Sequence, residues 1–459
     1  MSMGSHPVPH RFHWPRKWML WMVIGLVVAP VAAAGIAVAV DRAFFSSQAQ
    51  YSPYSWPPEP CVVQGVKARC GTFVVPENRA KPNGRTIGLN VVVLPAFSTP
   101  ARTDAVTYLA GGPGEAATEG AAGLSQQLSA LNMYRDILLI DQRGTGGSNP
   151  HNGDGTQYGT RMAMDDVDAV RAALGYRQLD VIGSSYGATA AQIYLKFHPS
   201  SVRTLILAGA TAIDVPYFDR YALNAQRALD QLANLCASGP ACRMAFPDWQ
   251  SQFAELVKAW NANPVNGMTG DEFASIVHVM LLDLEKAVSI PLVVSRAADG
   301  DYGRLEQEVS GELDIELDLM SSSIWCNEPW TGLEATGPWG TDFDSYTTAR
   351  IAAFRQECSS VPRRAESRSL WTLPASSPVP VLALVGGADP QDPLTNLSDL
   401  KQHFPDSRTV IFPHIGHQFS IGGCLYPILA NYVERGTARG LETTRCDGAV
   451  VVPPFELAD

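Results

Sequence analysis

Nowhere along the 459 residues do lysine and arginine gather into a patch of the kind that neutralises phosphates. Lys and Arg number 34 against 45 Asp and Glu, a formal net charge of -11, so binding to DNA or RNA is disfavoured. The CxxC spacing of a zinc cluster is missing as well, no internal repeat is visible, and no metal or cofactor is expected. Charge is sparse. Charged residues make up 17% and hydrophobic ones 46%, an ordinary globular balance once an apolar N-terminal segment is set aside, so the chain can bury a sizeable core.

That apolar segment is residues 18–40, preceded by Arg11, Arg16 and Lys17 and long enough to cross a bilayer as a helix. Positive residues on its N-terminal side predict that this end stays in the cytoplasm and that everything after Asp41 is exported. Two fates remain open: an uncleaved membrane anchor, or a signal removed at Ala37-Val38-Ala39 or Ser47-Gln48-Ala49. The eight cysteines agree with export. They fall as close neighbours, Cys61 and Cys70, Cys236 and Cys242, Cys326 and Cys358, Cys424 and Cys446. An even count in an oxidising compartment favours disulfides, and nearest-neighbour pairing is the simplest of about 105 connectivities.

Residues 45–60, rich in proline, serine and aromatics without periodicity, read as a linker or surface-clinging arm. Strand-like runs at 71–76 and 87–95 suggest an edge hairpin, and further buried strands follow at 105–110, 136–140 and 202–210. Helical segments lie between the later ones. Residues 160–174 place Ala163, Val167, Val170 and Leu174 on one face, while Asp165, Asp166 and Asp168 suit the N-terminal half of a helix. Such alternation implies an α/β fold with a largely parallel sheet covered on both faces. Between 213 and 375 the alternation gives way to helix formers, tryptophan and acids, read as a helical cap; it resumes at 379–387 and 408–413. The expected organisation is therefore a tail with anchor or signal at 1–42, a linker at 43–60, a core at 61–212 and 376–459, and a cap at 213–375.

Chemistry concentrates at 179–187, LDVIGSSYG, where an apolar strand runs into a G-x-S-x-G turn and a small-residue helix. Glycines two residues either side of Ser185 permit a strained turn that presents its hydroxyl, which makes Ser185 the candidate nucleophile. A serine hydroxyl needs a base, and the base an orienting acid. Asp389 and His417 each follow an apolar strand, in the order Ser, Asp, His; Asp392 and His414 are the runners-up. The side-chain-poor loop Gly111-Gly112-Pro113-Gly114 lets backbone N–H groups approach a ligand, as an oxyanion hole requires. After the strand at 136–140, Asp141 and Arg143 are expected to form a fixing ion pair.

Together LAGGPG, DQRGTGGS, GSSYGA, GGADPQDP and GHQ, spread from Leu109 to His417, resemble the proline iminopeptidase and tripeptidyl aminopeptidase group of the α/β-hydrolase superfamily. The resemblance implies an α/β-hydrolase fold with a helical cap, and roles for Ser185 as nucleophile, Asp389 and His417 as its partners, and the N–H groups of Tyr186 and the Gly112 region as the oxyanion hole. It also likens Cys424 and Cys446 to a pair found in exported members. Ala110 stands where many members carry the histidine of HGGPG. In that group the cap recognises the free amine of a peptide with carboxylates; Glu328, between Trp325 and Trp330 and two residues after Cys326, is a candidate, as are Glu312, Asp314 and Glu316.

The implied function is an aminopeptidase of prolyl or tripeptidyl type, exported from a bacterial cell to the periplasm, envelope or medium, with peptides as substrates. The same machinery would serve an esterase, lipase or acyltransferase. A binding protein on a retired hydrolase fold is a third reading, disfavoured because every catalytic position is filled, and a serine rather than an aspartate at the elbow argues against epoxide hydrolase or dehalogenase chemistry.

Overall fold

The computed structural model describes residues 55–150, 152–309, 318–364, 366–418 and 422–458. The apolar run at 18–40, the cleavage sites proposed near it, and Glu312, Asp314 and Glu316 lie outside the described residues. Among those described, no helix is long and apolar enough to cross a membrane.

Nine strands among the described residues form one sheet: β1 (Glu59–Val63), β2 (Val66–Pro76), β3 (Thr86–Leu94), β4 (Ala105–Leu109), β5 (Ile137–Ile140), β6 (Leu179–Ser184), β7 (Val202–Ala208), β8 (Val381–Gly386) and β9 (Ser407–Phe412). Their spatial order is β1-β2-β3-β5-β4-β6-β7-β8-β9. Pairings from β5 through β9 are parallel, whereas β1, β2 and β3 run antiparallel at one edge. The expected edge hairpin is thus β2 and β3, extended outward by β1, whose first residues come from the end of the expected linker. That end lies against the sheet: the Trp56 ring packs 4.7 Å from that of Phe73, and Ser55 O accepts from Thr72 N.

Successive strand residues point to opposite faces, and both faces are apolar. Leu138, Ile140, Val181, Leu205 and Leu207 face one cluster, which also buries the inner sides of the helices Thr160–Ala173 (α1) and Tyr186–Phe197 (α2). Ile137, Leu139, Ile182 and Ile206 face the other, covered by the helices Ala121–Gln127 and Gly422–Arg435. Pleat alternation is what sorts the one continuous apolar strand into two cores.

Between β7 and β8 the chain leaves the sheet and builds a third cluster of its own, with Phe218, Tyr221, Phe253, Trp260, Phe273 and Phe343 fully or almost fully buried. Aromatic and aliphatic positions recur at helical spacing there, so helices pack on helices without a sheet. The ends of this insertion stay with the main core, where Ile213, Trp371 and Leu373 are buried, as do Met320 and Ile324 of the helix Leu319–Asn327. Trp325 packs against both clusters and ties the cap to the sheet domain.

The cysteines pair as nearest neighbours: Cys61–Cys70, Cys236–Cys242, Cys326–Cys358 and Cys424–Cys446. Among them Cys326–Cys358 closes the longest loop, spanning 32 residues, and fastens the helix Leu319–Asn327 to the end of the helix Asp344–Glu357. Constraining a loop of that size is worth about 3–4 kcal/mol in the chain-entropy account.

Asp141 and Arg143 do not pair with each other. The Asp141 carboxylate is occupied by Thr118 N and Oγ1, Asn90 Nδ2 and Gly147 N, four donors at 2.9–3.0 Å, which leaves little capacity for a guanidinium. Arg143, fully buried, makes a bidentate pair with Asp166 at 2.6 and 2.8 Å and donates to the carbonyls of Glu77 and Gln157. Asp166 is therefore no surface acid of a first turn; it receives the buried cation that pins the loop after β5 to α1.

Candidate active site

At the end of β6 the chain turns through Ser185 with φ 55° and ψ -126°, and the next residue begins α2. A left-handed φ is strained for any residue but glycine, and persists only when the surroundings enforce it. They do so by crowding. A Cβ on Gly183 would fall against the Gly187 carbonyl, and one on Gly187 against the carbonyl of Leu109, both well inside contact distance. The elbow closes only because both positions lack a side chain, and Ser185 N is fixed on Ala208 O at 2.9 Å.

His417 follows β9 and the turn 413–416. Its loop is held by the cap, with Gln418 N donating to Leu282 O at 3.0 Å, and Gly416 sits so close to the carbonyls of Leu281 and Leu282 that a Cβ has no room. From there Nε2 lies 2.9 Å from Ser185 Oγ, and Nδ1 lies 2.9 Å from Oδ2 of Asp389. A carboxylate only accepts, so Nδ1 carries a ring hydrogen, and in the neutral ring that catalysis needs Nε2 accepts from the serine. Asp389, fully buried just after β8, takes Gln391 N and Asp392 N on its other oxygen at 2.8 and 2.9 Å. Burial opposes its charge, but the His417 ring and those two N–H groups outweigh burial and hold its pKa below the usual carboxylate value.

Sequence order places three residues at one edge of the sheet; the structure brings Ser185, His417 and Asp389 into one hydrogen-bonded line. His414, the alternative base, sits exposed in the turn with φ 38° and takes no part in it. Asp392, the alternative acid, does reach the histidine, with Oδ2 3.5 Å from Nδ1, while Thr211 Oγ1 donates to its other oxygen at 2.5 Å. Burial raises its pKa to about 7.

Gly112 has φ 100°, where a Cβ would meet the amide of Gly114 at 2.8 Å, so only glycine suits this bend. The loop is braced from the cap by Ser321 Oγ, which donates to Pro113 O at 2.6 Å. Tyr186, the first residue of α2, has no intrahelical acceptor for its N–H. Its own ring is buried, with the hydroxyl 2.9 Å from Thr160 Oγ1.

Glu328 is also buried, behind this elbow rather than open to a ligand. Its oxygens accept from Thr160 N at 2.6 Å, Thr160 Oγ1 at 2.7 Å and Trp330 Nε1 at 2.8 Å. Thr160 opens α1, which has no side-chain cap of its own, so a carboxylate from the cap region satisfies that helix N-terminus.

Several residues at this site carry no clear mark in the sequence. Arg227, on the cap helix Tyr217–Ser238, donates to the carbonyls of Gly387 and Asp389 at 2.8 and 2.7 Å and so holds the acid loop from outside; a lone arginine in a helix gives no signal of this. Thr211 is equally silent. Glu115 carries a faint signal, since it directly follows the Gly-rich loop; its Oε2 accepts from Gly111 N at 3.1 Å. Asp389, Asp392 and His417 are close enough together to resemble a metal cluster. Both imidazole nitrogens are already engaged, by Asp389 and Ser185, and Asp392 accepts from Thr211.

A model of the alpha/beta hydrolase fold matches residues 106–423. Serine protease Hip1 of Mycobacterium tuberculosis is 26% identical over 279 residues, 50% of this chain and 53% of that protein. Proline iminopeptidase of Xylella fastidiosa is 36% identical over 104 residues, 23% of this chain and 31% of that protein. The chain thus spans about half the length, or less, of these curated relatives. Among solved structures, proline iminopeptidase of Mycobacterium smegmatis covers 80% of this chain and 98% of its own, with 16% identity and a TM-score of 0.43.

Proposed function

Because the chain belongs to the alpha/beta hydrolase fold family, we propose that it is an exported serine hydrolase that cleaves peptides with a free N-terminus through an acyl-enzyme. The observation that carries this reading is the line Asp389–His417–Ser185, with 2.9 Å at each link. Ser185 Oγ attacks the scissile carbonyl while its proton passes to Nε2 of His417. Asp389 fixes the ring and offsets the charge that the imidazolium gains. The N–H groups of Tyr186 and Gly112 would receive the oxygen that becomes negative; such donors are worth about 3–4 kcal/mol each in the transition state. His417 then returns the proton to the leaving amine, and water, deprotonated by the same nitrogen, releases the acyl group.

Peptides are favoured over esters by the likeness to a serine protease and to proline iminopeptidases. Export is supported by the four disulfides, which persist in oxidising compartments, and by the apolar run at 18–40 behind three positive residues. That run would also supply any membrane attachment.

The test compares the protein, disulfides intact, with Ser185→Ala on free and blocked aminoacyl, prolyl and tripeptidyl fluorogenic amides and on p-nitrophenyl esters. Cleavage of free-amine amides, lost by a factor of about 10⁴ or more in the variant, is the expected result. Ester turnover without amide turnover would replace the peptidase with an esterase or acyltransferase, and an unchanged variant would remove Ser185 from the mechanism.

A further inference from the structure

Three helices of the cap meet beside the acid loop and hold a cation there without a carboxylate. On the helix Tyr217–Ser238, Tyr217 donates through its hydroxyl to Gln391 Oε1, and Asn224 Nδ2 donates to Gln391 O at 2.9 Å. Tyr221 lies between them on the same face, its hydroxyl 3.3 Å from His278 Nδ1 and 3.1 Å from the hydroxyl of Tyr346. His278, on the helix Gly270–Leu281, stands one turn before Leu282, the residue whose carbonyl holds the His417 loop. Arg350 follows Tyr346 by one turn of the helix Asp344–Glu357, with its guanidinium carbon 5.9 Å from the centre of the Tyr221 ring and 5.4 Å from that of Phe354. An aromatic wall joins this group to the elbow: the Tyr217 ring lies 6.4 Å from that of Trp330, which lies 6.1 Å from that of Tyr186, next to the nucleophile.

Among the described residues no carboxylate forms an ion pair with Arg350; the polar groups around it are the phenols of Tyr221, Tyr346 and Tyr217. Burial raises the pKa of the Tyr217 and Tyr221 phenols well above the ordinary value, so they stay neutral. Burial also lowers the pKa of His278 to about 3, with Arg350 adding to the fall, so that ring is neutral too. Asp389 and His417 act on the same ring, which puts the cluster within electrostatic reach of the triad. Buried arginines with a purely structural task in this protein hold a carboxylate, Arg143 that of Asp166 and Arg135 that of Asp104, each at 2.6 Å. Arg350 is half-buried instead, and its Nε, like Nε2 of His278, is buried without a hydrogen-bond partner. A desolvated cation with unused donors gains most from an anion that the fold itself does not supply.

We propose that Arg350 and the hydroxyl of Tyr346 bind a carboxylate of the substrate, so that the protein favours peptides carrying an acidic group. This rests on the peptidase reading and adds a substrate class to it. The planar guanidinium fork matches a carboxylate, and a phenol donates to one as well. Two parts of a peptide offer that chemistry, the side chain of Asp or Glu and the C-terminus of a short chain.

The test measures kcat/KM on two sets of paired peptides: amidated peptides with Glu or Gln at successive positions, and neutral peptides with a free or an amidated C-terminus. The readout is the ratio within each pair, which divides out any general loss of activity. The parent is expected to favour the carboxylate member of one set about tenfold or more, and Arg350→Met to lower that ratio about tenfold to a hundredfold, chiefly through KM, as a charged contact is lost. Arg350→Lys should keep part of the preference. Tyr346→Phe, which removes one hydroxyl, should lower the ratio several-fold, and it decides the matter where Arg350→Met does not fold. A preference confined to the Glu pairs assigns the side chain; one confined to the free acids assigns the C-terminus. A parent that cleaves peptides with equal kcat/KM in every pair, or a preference that survives unchanged in Arg350→Met or Tyr346→Phe, overturns the carboxylate site and leaves the peptidase standing. A parent inert on every peptide removes the peptidase reading and this inference with it.

Discussion

Oδ2 of Asp392 lies 3.5 Å from Nδ1 of His417, the same nitrogen that Asp389 holds at 2.9 Å. The imidazole therefore has two carboxyl groups behind it, and they are not equivalent. Asp389 is tied down by two backbone N–H groups, whereas Asp392 has one threonine hydroxyl and a pKa raised by burial to about 7. The two aspartates thus act differently on one ring. Asp389 orients it, and Asp392 adds charge behind it as pH rises.

This division sets a pH dependence. Burial lowers the pKa of His417, but Asp389, and after it Asp392 and Glu115, more than offset that and bring it to about 9. Catalysis needs the neutral ring, so kcat/KM is expected to rise with pH through the neutral range into the alkaline one. Asp392→Asn removes a carboxylate that stabilises the imidazolium, which lowers the ring's pKa and moves the acid limb to lower pH. A displacement of half a unit to one unit corresponds to a rate at pH 7 about 3- to 10-fold higher. Full pH profiles of parent and variant check this; a limb that stays in place, or moves upward, contradicts it.

Gly187→Ala tests the elbow. The added methyl group meets the Leu109 carbonyl, which belongs to a central strand and has no freedom to move away. Overpacking of this kind costs about 3 kcal/mol or more, and any relief must come from displacing Ser185. Gly175→Ala is the companion: unlike helical Gly187 it has a left-handed φ of 79°, but nothing lies within 4 Å of the new Cβ, so the cost is limited to about 1–2 kcal/mol of backbone strain. Urea denaturation should separate the two variants, with the larger loss of stability and of activity in Gly187→Ala.

Arg143→Met tests the buried pair. It removes both bonds to Asp166 and strands that carboxylate with only the partly exposed Arg79 beside it. Removing one partner of a buried pair costs about 3–5 kcal/mol, and adding Asp166→Asn should restore part of that. Denaturant midpoints of the two single variants and the double variant give the coupling. Strictly additive losses would mean that the pair contributes through packing alone.

Much of the sheet is legible in the residues. The runs at 71–76, 87–95, 105–110, 136–140, 202–210, 379–387 and 408–413 each fall within about two residues of an observed strand end, save the start of β2, because apolar runs bounded by glycine, proline and aspartate admit few other arrangements. Only β1 is not: a five-residue edge strand of mixed polarity beside a proline-rich stretch carries no periodic signal. Asp165 suits a helix end by its position along the chain, yet its carboxylate lies 2.8 Å from Nε2 of His198.

What the sequence determined was therefore the local grammar: strand, turn and helix around Ser185, the alternation that makes a parallel sheet, and glycines at bends where no Cβ fits. Tertiary structure decided which charges meet. It sent Arg143 to Asp166 instead of Asp141, buried Glu328 at the start of α1, and set Asp392 as well as Asp389 behind His417. The reason is range. Hydrophobic periodicity and backbone sterics act between residues a few positions apart and are written along the chain, whereas ion pairs and hydrogen bonds form between side chains hundreds of positions apart, 232 for Ser185 and His417 and 332 for Arg102 and Glu434, and only the folded sheet brings them together.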